Sequence, residues 1–399
     1  MSHRFGRTVA DLRGDGRGWL LGAVSVGWFL VLGMRFVVPG ILPTITADFG
    51  VSASAAGFAV TVLWVTYAVV QFPAGLLADR IGERVLLAAA LLLAASGLVS
   101  YTFTPTFGLF VVATGVFGLG TGLYGPPRGT VLATAYDDND GAAFGVMLAA
   151  GSVGAAVLPA LAAVAVTSVG WRTALGVLTP VFLFAAAGIW WAVPDAGATT
   201  SGADRSVPSA VAGAVRAVRN RRVALAVVGA TLMLFAFQAV TAFLTTYLTR
   251  TKAFSQGGAG TVLGTLFLVG ALSQFAGGGL ADRYGAPRVL AAVGAVSVVP
   301  LVALPLSGGL VVPAVLSALV GVRMSIGPVS NAYIIDLLPE DVQGTAWGAL
   351  RTGFFIVGSF GSTVVGVMAD AGLFDAAFYL LAAITAAGAG VYVFLPERS

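Results

Sequence analysis

Twelve apolar runs, six on each side of one polar stretch, decide most of what this chain can become. They fall at residues 19–43, 56–77, 85–104, 108–134, 142–166 and 172–193, then at 223–248, 258–280, 289–307, 309–337, 344–368 and 374–395. Most reach the roughly 20 residues that a helix rising 1.5 Å per residue needs to cross about 30 Å of hydrocarbon. With 58% of its 399 residues hydrophobic and 10% charged, the chain cannot hide its apolar side chains in one water-soluble core, so lipid has to be its solvent. Short alternating strands are missing, which excludes a β-barrel. The expected fold is an all-α polytopic membrane protein with 12 transmembrane helices in two pseudo-symmetric six-helix bundles, residues 1–193 and 223–399, joined by a linker at 194–222.

The two halves share a phrase. Gln71-Phe72-Pro73-Ala74-Gly75-Leu76-Leu77-Ala78-Asp79-Arg80-Ile81-Gly82 returns as Gln274-Phe275-Ala276-Gly277-Gly278-Gly279-Leu280-Ala281-Asp282-Arg283-Tyr284-Gly285, with eight of twelve positions identical at an offset of 203. Each copy closes the second helix of its half and turns into the third. Gly82 and Gly285 suit the positive φ of a tight turn, and Gly75 and Gly278 are expected to let another helix backbone come close. Asp79 and Asp282 then sit at the rim, where a carboxylate accepts hydrogen bonds from the free N–H groups that open a neighbouring helix.

Charge gives an orientation. With both termini cytoplasmic, 14 of the 21 Lys and Arg lie inside and only Arg172, Arg250 and Lys252 outside, the remaining four being within spans. The net charge of +4 is therefore a topology signal, not a nucleic-acid footprint. The linker ends in the basic run Arg216, Arg219, Arg221 and Arg222, and its part from Ser209 to Arg222 reads either as a short surface helix on anionic lipid or as a solvated tether. Trp19, Trp171, Trp190 and Trp191 fall at span ends, where indoles anchor to the interface. No small-residue cleavage site follows the first run, which reads as an uncleaved helix rather than a signal peptide.

Inventory excludes several chemistries. The chain has no Cys, and His3 is its one histidine, so thiolate chemistry and a histidine proton relay within the bilayer are both ruled out. No metal site, cofactor site or phosphate-cradling Gly-x-x-x-x-Gly-Lys loop is present, so an enzyme or an ATP-driven pump is not expected. Four arginines nevertheless lie within spans: Arg35, Arg128, Arg323 and Arg351. At about 2.5 to 3.5 kcal/mol for a central position, each needs water, carbonyls or a ligand. No span interior offers a carboxylate, because Asp336, Glu340 and Asp341 lie at or beyond the end of the tenth run. Arg323 is near mid-membrane, whereas Arg35, Arg128 and Arg351 are placed where the side chain can also snorkel to a surface.

Helical spacing sets Tyr124 on one face with Arg128, and Asn331 on one face with Arg323. Gly125-Pro126 and Gly327-Pro328 mark matching points where two helices can bend and free carbonyls towards a cavity. Gln238 falls opposite Arg35 through the repeat offset, and Gln71 and Gln274 read as polar glue between helices or as substrate contacts.

At the repeated turn the chain resembles the major facilitator superfamily, whose loop signature reads G-x-L-A-D-R-x-G-R-K. Gly75, Leu77, Ala78, Asp79, Arg80, Gly82 and Arg84 match it, with Glu83 in place of a base, and Gly278, Asp282, Arg283 and Gly285 carry the second copy. The resemblance covers the whole chain. It implies two bundles that rock about a central site, a gate in which Asp79 meets the eleventh helix near Thr345, and a second in which Asp282 meets the fifth helix near Ala142. It also implies that the helices bearing the four arginines line the cavity. Thr114 stands where proton-coupled antiporters have an arginine, and Leu158 stands before Pro159 where drug antiporters have a glycine, so neither pattern is complete.

The leading expectation is a secondary transporter of a small organic or inorganic anion in the cell membrane, working by alternating access as a monomer in the lipid bilayer. Its substrate site would draw on Arg323, Arg128, Arg35, Arg351, Tyr124, Gln238 and Asn331. The coupling ion is left open. The alternatives are an exporter of drugs, amphipathic compounds or sugars and, more remotely, a non-transporting membrane sensor.

Overall fold

The computed structural model describes residues 14, 17–136, 140–195, 207–339 and 343–396; His3, the arginines before Arg17, Arg205, Glu340, Asp341 and Arg398 lie outside them. Among the described residues, 12 helices are long and apolar enough to cross a membrane. They are α1 Arg17–Gly40, α2 Ala53–Ile81, α3 Glu83–Thr102, α4 Phe107–Ala135, α5 Gly141–Val169, α6 Trp171–Ala192, α7 Arg221–Thr251, α8 Gln256–Tyr284, α9 Ala286–Leu306, α10 Val311–Leu337, α11 Ala346–Asp370 and α12 Phe374–Val393. Two shorter helices, Leu42–Phe49 and Val207–Ala217, lie between spans. The part of the linker at Val207–Ala217 is thus helical, and its Ala214 and Ala217 pack on Ala346 and Leu350 of α11.

The duplication reaches further than the repeated phrase. Ser52 Oγ caps α2 by accepting from the Ala55 N–H, and Ser255 Oγ caps α8 by accepting from the Gly258 N–H. Both helices end at a glycine of positive φ, Gly82 at 83° and Gly285 at 85°, as a tight turn requires. Open space surrounds Gly75 and Gly278, contrary to the expected close helix approach: Gly75 borders an opening between α2 and α11, and Gly278 a groove within its own half. Close approach occurs elsewhere: a Cβ on Gly57 would strike the Ser362 carbonyl, and one on Gly264 the Ala156 carbonyl, both across the boundary between halves.

Helices α4 and α10 break at the Gly-Pro positions. In α4 the helical segment Phe107–Leu123 gives way at Tyr124 to Gly125–Ala135, and in α10 a 3₁₀ stretch, Val320–Ser325, precedes Ile326–Leu337. Proline lacks an N–H and crowds the preceding turn, so carbonyls there lose their partners. Gln71 and Gln274 supply them: Gln71 Nε2 donates to the Gly122 carbonyl at 3.0 Å and Gln274 Nε2 to the Met324 carbonyl at 3.4 Å.

The halves are sealed at the face remote from the repeated turns. There Asp370, the last residue of α11, accepts from the Ala53 N–H at 2.7 Å and the Ser54 N–H at 2.8 Å, joining its carboxylate to the start of α2. Thr61 donates to the Ser359 carbonyl at 2.9 Å, Thr245 to that of Pro39 at 2.8 Å, and Gln256 to that of Gly40 at 2.7 Å. Towards the turns, an opening of about 330 Å³ lies between α2 and α11, lined by Gly75, Asp79, Gly344, Trp347 and Arg351.

Trp19, Trp190 and Trp191 are exposed as interface anchors should be, but Trp171 is 3% exposed and its indole donates to Asp48 at 3.1 Å. The cause is Asp48: its carboxylate also accepts from Arg172 at 2.7 Å and draws both residues onto the short helix Leu42–Phe49, where they lie against Phe49.

Candidate functional site

Three of the four membrane arginines converge near the boundary of the halves. Arg35 on α1 is 2% exposed and held in an aromatic cage, with its guanidinium 4.3 Å from the Tyr67 ring, 5.2 Å from Trp28 and 5.5 Å from Trp64. Arg128, just beyond the break in α4, shares one ring of that cage, lying 3.7 Å over Trp28, and donates to the Gly125 carbonyl at 2.9 Å. Arg351 comes from α11 in the opposite half; its Nη1 donates to Gln71 Oε1 at 3.1 Å and its guanidinium sits 5.3 Å from the Phe355 ring. Arg35 and Arg128 share the Trp28 ring, and the Tyr67 ring beside Arg35 lies 5.7 Å from the Phe355 ring beside Arg351.

Every carboxylate in the described spans sits in a terminal turn, and the ion pairs of Arg84 with Asp195 and of Arg172 with Asp48 are outside the cluster. Ring faces and carbonyls hold these cations instead, each π contact contributing about 0.5 to 2 kcal/mol. Arg35 Nη2, Arg128 Nε and Arg351 Nε are buried without a hydrogen-bond partner. Like charges gathered in low dielectric with idle donors leave room for a negative group to stabilise them.

Arg323 occupies a neighbouring position. The 3₁₀ turn places it 3% exposed against α7, where Nη2 donates to the Met233 carbonyl at 2.9 Å, leaving Nη1 buried and unpartnered. It lines a cavity of about 240 Å³ with Arg351, Asn331, Phe237, Phe354 and Phe355. Arg351 borders both this cavity and the opening towards the turns.

The other expected site residues are placed as follows. Tyr124 is fully buried and donates to the Val24 carbonyl at 3.0 Å, bracing α4 on α1. Gln238 is 1% exposed, and neither polar atom of its amide has a partner. Among the gate residues, Asp79 is half-buried and faces the start of α11, Arg80 is exposed, and Arg84 reaches Asp195 at 2.8 Å while lying 4.6 Å over Trp190. Asp282 is exposed and lines a groove of about 550 Å³ with Tyr333 and Asp336 of α10, in its own half. Arg283 lies 5.2 Å from the Tyr284 ring.

Sequence reading missed Trp28, Trp64, Phe355 and the Met233 carbonyl as partners of the arginines. Aromatic residues make up 10% of the chain, so no ring stood out, and a carbonyl leaves no mark in sequence. Asp370 did carry a signal, because an acid at a helix C-terminus opposes the macrodipole and needs a partner.

Two six-helix halves with a cluster of arginines near their shared boundary define a polytopic helical membrane protein. The chain belongs to the Major Facilitator Superfamily, whose model matches residues 24–361 and 253–399. It is 28% identical over 135 residues to a probable hexose phosphate transport protein of Chlamydia trachomatis serovar D, a match covering 34% of this chain and only 30% of that protein. An uncharacterized MFS-type transporter of Bacillus subtilis strain 168, YfnC, is 24% identical over 351 residues, covering 85% and 83% of the two chains. Among solved structures, a bacterial homologue of the human lysosomal transporter Spinster superimposes with a TM-score of 0.76 at 17% identity over 96% of this chain and 95% of that one. The nucleoside transporter NupG does so with a TM-score of 0.79 at 13% identity over 95% and 100%.

Proposed function

We propose that this protein is a secondary transporter of a small anion, with Arg351 at the centre of the substrate site and Arg128, Arg35 and Arg323 around it. The observation that carries the reading is Arg351 itself: it comes from one half, binds Gln71 of the other, and borders both openings. An anion there neutralises charge contributed by both halves, so its binding is coupled to how they are disposed. Alternating access then follows from differential affinity, since a ligand shifts an equilibrium only by binding one state better. The limited likeness to a hexose phosphate transport protein is consistent with an anionic cargo.

The turns of Asp79 and Asp282 face the cytoplasm in this reading, by the distribution of Lys and Arg, so the structure is closed to the outside by the Asp370 contact. Asp79 belongs to the gate that forms when the halves close on the other side. With no carboxylate deep in the described spans, coupling runs by exchange or by a proton carried on the substrate. Uptake of labelled carboxylates and phosphate esters into proteoliposomes, lost in Arg351→Gln, is the expected result.

A second reading, export of amphipathic compounds, is favoured by the phenylalanines lining the cavity of Arg323. Cationic dye export that persists in Arg351→Gln would select it.

A further inference from the structure

Resting on the anion reading, we infer that the cargo is an organic anion with an aromatic or similarly bulky apolar body, and that this body occupies the cavity between α7, α10 and α11. An inorganic oxyanion or a small carboxylate is not the preferred substrate. The volume is about 240 Å³. An apolar cavity of about 150 Å³ suffices to admit benzene, so a ring bearing one or two substituents fits.

The walls are unlike those an inorganic anion would need. Leu234, Phe237, Met324, Ile326, Phe354 and Phe355 make most of the wall, and Arg323, Arg351, Asn331, Gln274 and Ser330 are its polar side chains. Sulfate or phosphate placed there would lose water on all sides and regain hydrogen bonds on few. A ring bearing one charged group would bury its faces on the phenylalanines while the charge meets a guanidinium. This is the usual composition of a small-molecule site, apolar with a few convergent polar groups.

Arg323 supplies the second, independent observation. It is 3% exposed, it lines the cavity, and its Nη1 has no partner although Nη2 is fixed by the Met233 carbonyl at 2.9 Å. The side chain is therefore fixed at the cavity wall while carrying one charged donor without a partner, a deficit that an anion can relieve. Phe355 links this chamber to the arginine cage of the other half, lying 5.7 Å from Tyr67 and 6.4 Å from Trp64. A bulky body in the cavity would thus press on a ring that touches both halves. An anion too small to reach Phe355 would bind without that leverage.

The test uses the purified full-length chain, measuring ligand-dependent melting temperature and affinity for benzoate, phenyl phosphate, acetate, inorganic phosphate, sulfate and benzyl alcohol. Benzoate is expected to bind more tightly than acetate by on the order of 30-fold, the size expected for burying a ring, and phenyl phosphate more tightly than phosphate by a similar ratio. Phe354→Ala should shrink those ratios several-fold while acetate affinity stays nearly constant, and Arg323→Gln should weaken benzoate by about tenfold or more. If Arg323→Gln does not fold, the Phe354→Ala ratios still decide. Acetate, phosphate or sulfate binding as tightly as their aromatic counterparts would overturn the inference while leaving the anion reading intact. Benzyl alcohol binding as tightly as benzoate, or no anion of either kind binding, would overturn both.

Discussion

The repeated phrase makes the same turn in both halves, yet the residues above it have taken different work. Gln71 and Gln274 each mend a carbonyl in the broken helix beside them, but only Gln71 also reaches across to hold Arg351. Asp79 faces the start of α11, in the opposite half, whereas the exposed Asp282 lines a groove of its own half. The first half holds two cations on aromatic rings. At the position matching Arg35 the second half has Gln238, an amide with no partner, and it sets Arg323 against a backbone carbonyl instead. A duplicated scaffold keeps what helix ends and turns demand, while the cavity is free to become asymmetric. Asymmetry lets one ligand touch a charge cluster on one side and an apolar chamber on the other.

That contrast is open to attack. The largest effect is expected at Arg351, the residue both regions share: Arg351→Gln should lower anion uptake by about 100-fold or more, since it removes a charge-assisted contact worth about 1.5 to 3 kcal/mol together with the attraction of the net charge. Uptake that survives this substitution would detach the cluster from transport. Next come the paired glutamines. Gln71→Ala should reduce uptake roughly tenfold by releasing Arg351, and Gln274→Ala by clearly less, because its bond is a neutral one of about 0.5 to 1.5 kcal/mol. Equal losses would erase the asymmetry argued here.

A smaller effect is expected at the sealed face. Asp370→Asn should weaken the contact with the start of α2 by about 1 kcal/mol, so that a maleimide reaches a cysteine placed at Ser54 several-fold faster than in the parent. The natural absence of cysteine makes the label unambiguous. The smallest effect is at Asp48, whose carboxyl is held below the usual carboxylate range by the hydrogen bond from Arg172. A depressed value means that the contribution is present above about pH 4 and fades as pH falls through the folded-state value. Asp48→Asn should thus lower the melting temperature slightly at pH 7, less so towards pH 3, and the solvent-screened pair makes the difference modest.

Much of the fold was legible because lipid leaves few options. Apolar runs mark helices, glycine after Asp79-Arg80-Ile81 marks a turn, and Gly-Pro in α4 and α10 marks a break. Helix contacts were less so. Gly75 and Gly278 suggested close packing, whereas crossings between the halves that admit no Cβ include those at Gly57, Gly264 and Gly366. What composition cannot reveal is which glycine faces another half at a given position of the rocking motion. The cationic site was visible as a set of four arginines, but not as a cage. Ring contacts from Trp28, Trp64, Tyr67 and Phe355 depend on tertiary placement that no spacing encodes. Trp171 shows the same limit, being diverted from the interface by a carboxylate that lies far away in sequence.

The central claim is that an anion at Arg351 governs which end of the boundary is open. Its most direct test is distance measurement between spin labels on two cysteine pairs in the full-length protein, one pair at the exposed Phe58 and Val367, which leaves the Asp370 contact intact, and the other at Gly75 and Gly344, with and without benzoate. The account predicts that benzoate moves the two pairs in opposite senses, lengthening the first as it shortens the second, and that Arg351→Gln abolishes the response. Distances that stay fixed, or change together in the same sense, would contradict it.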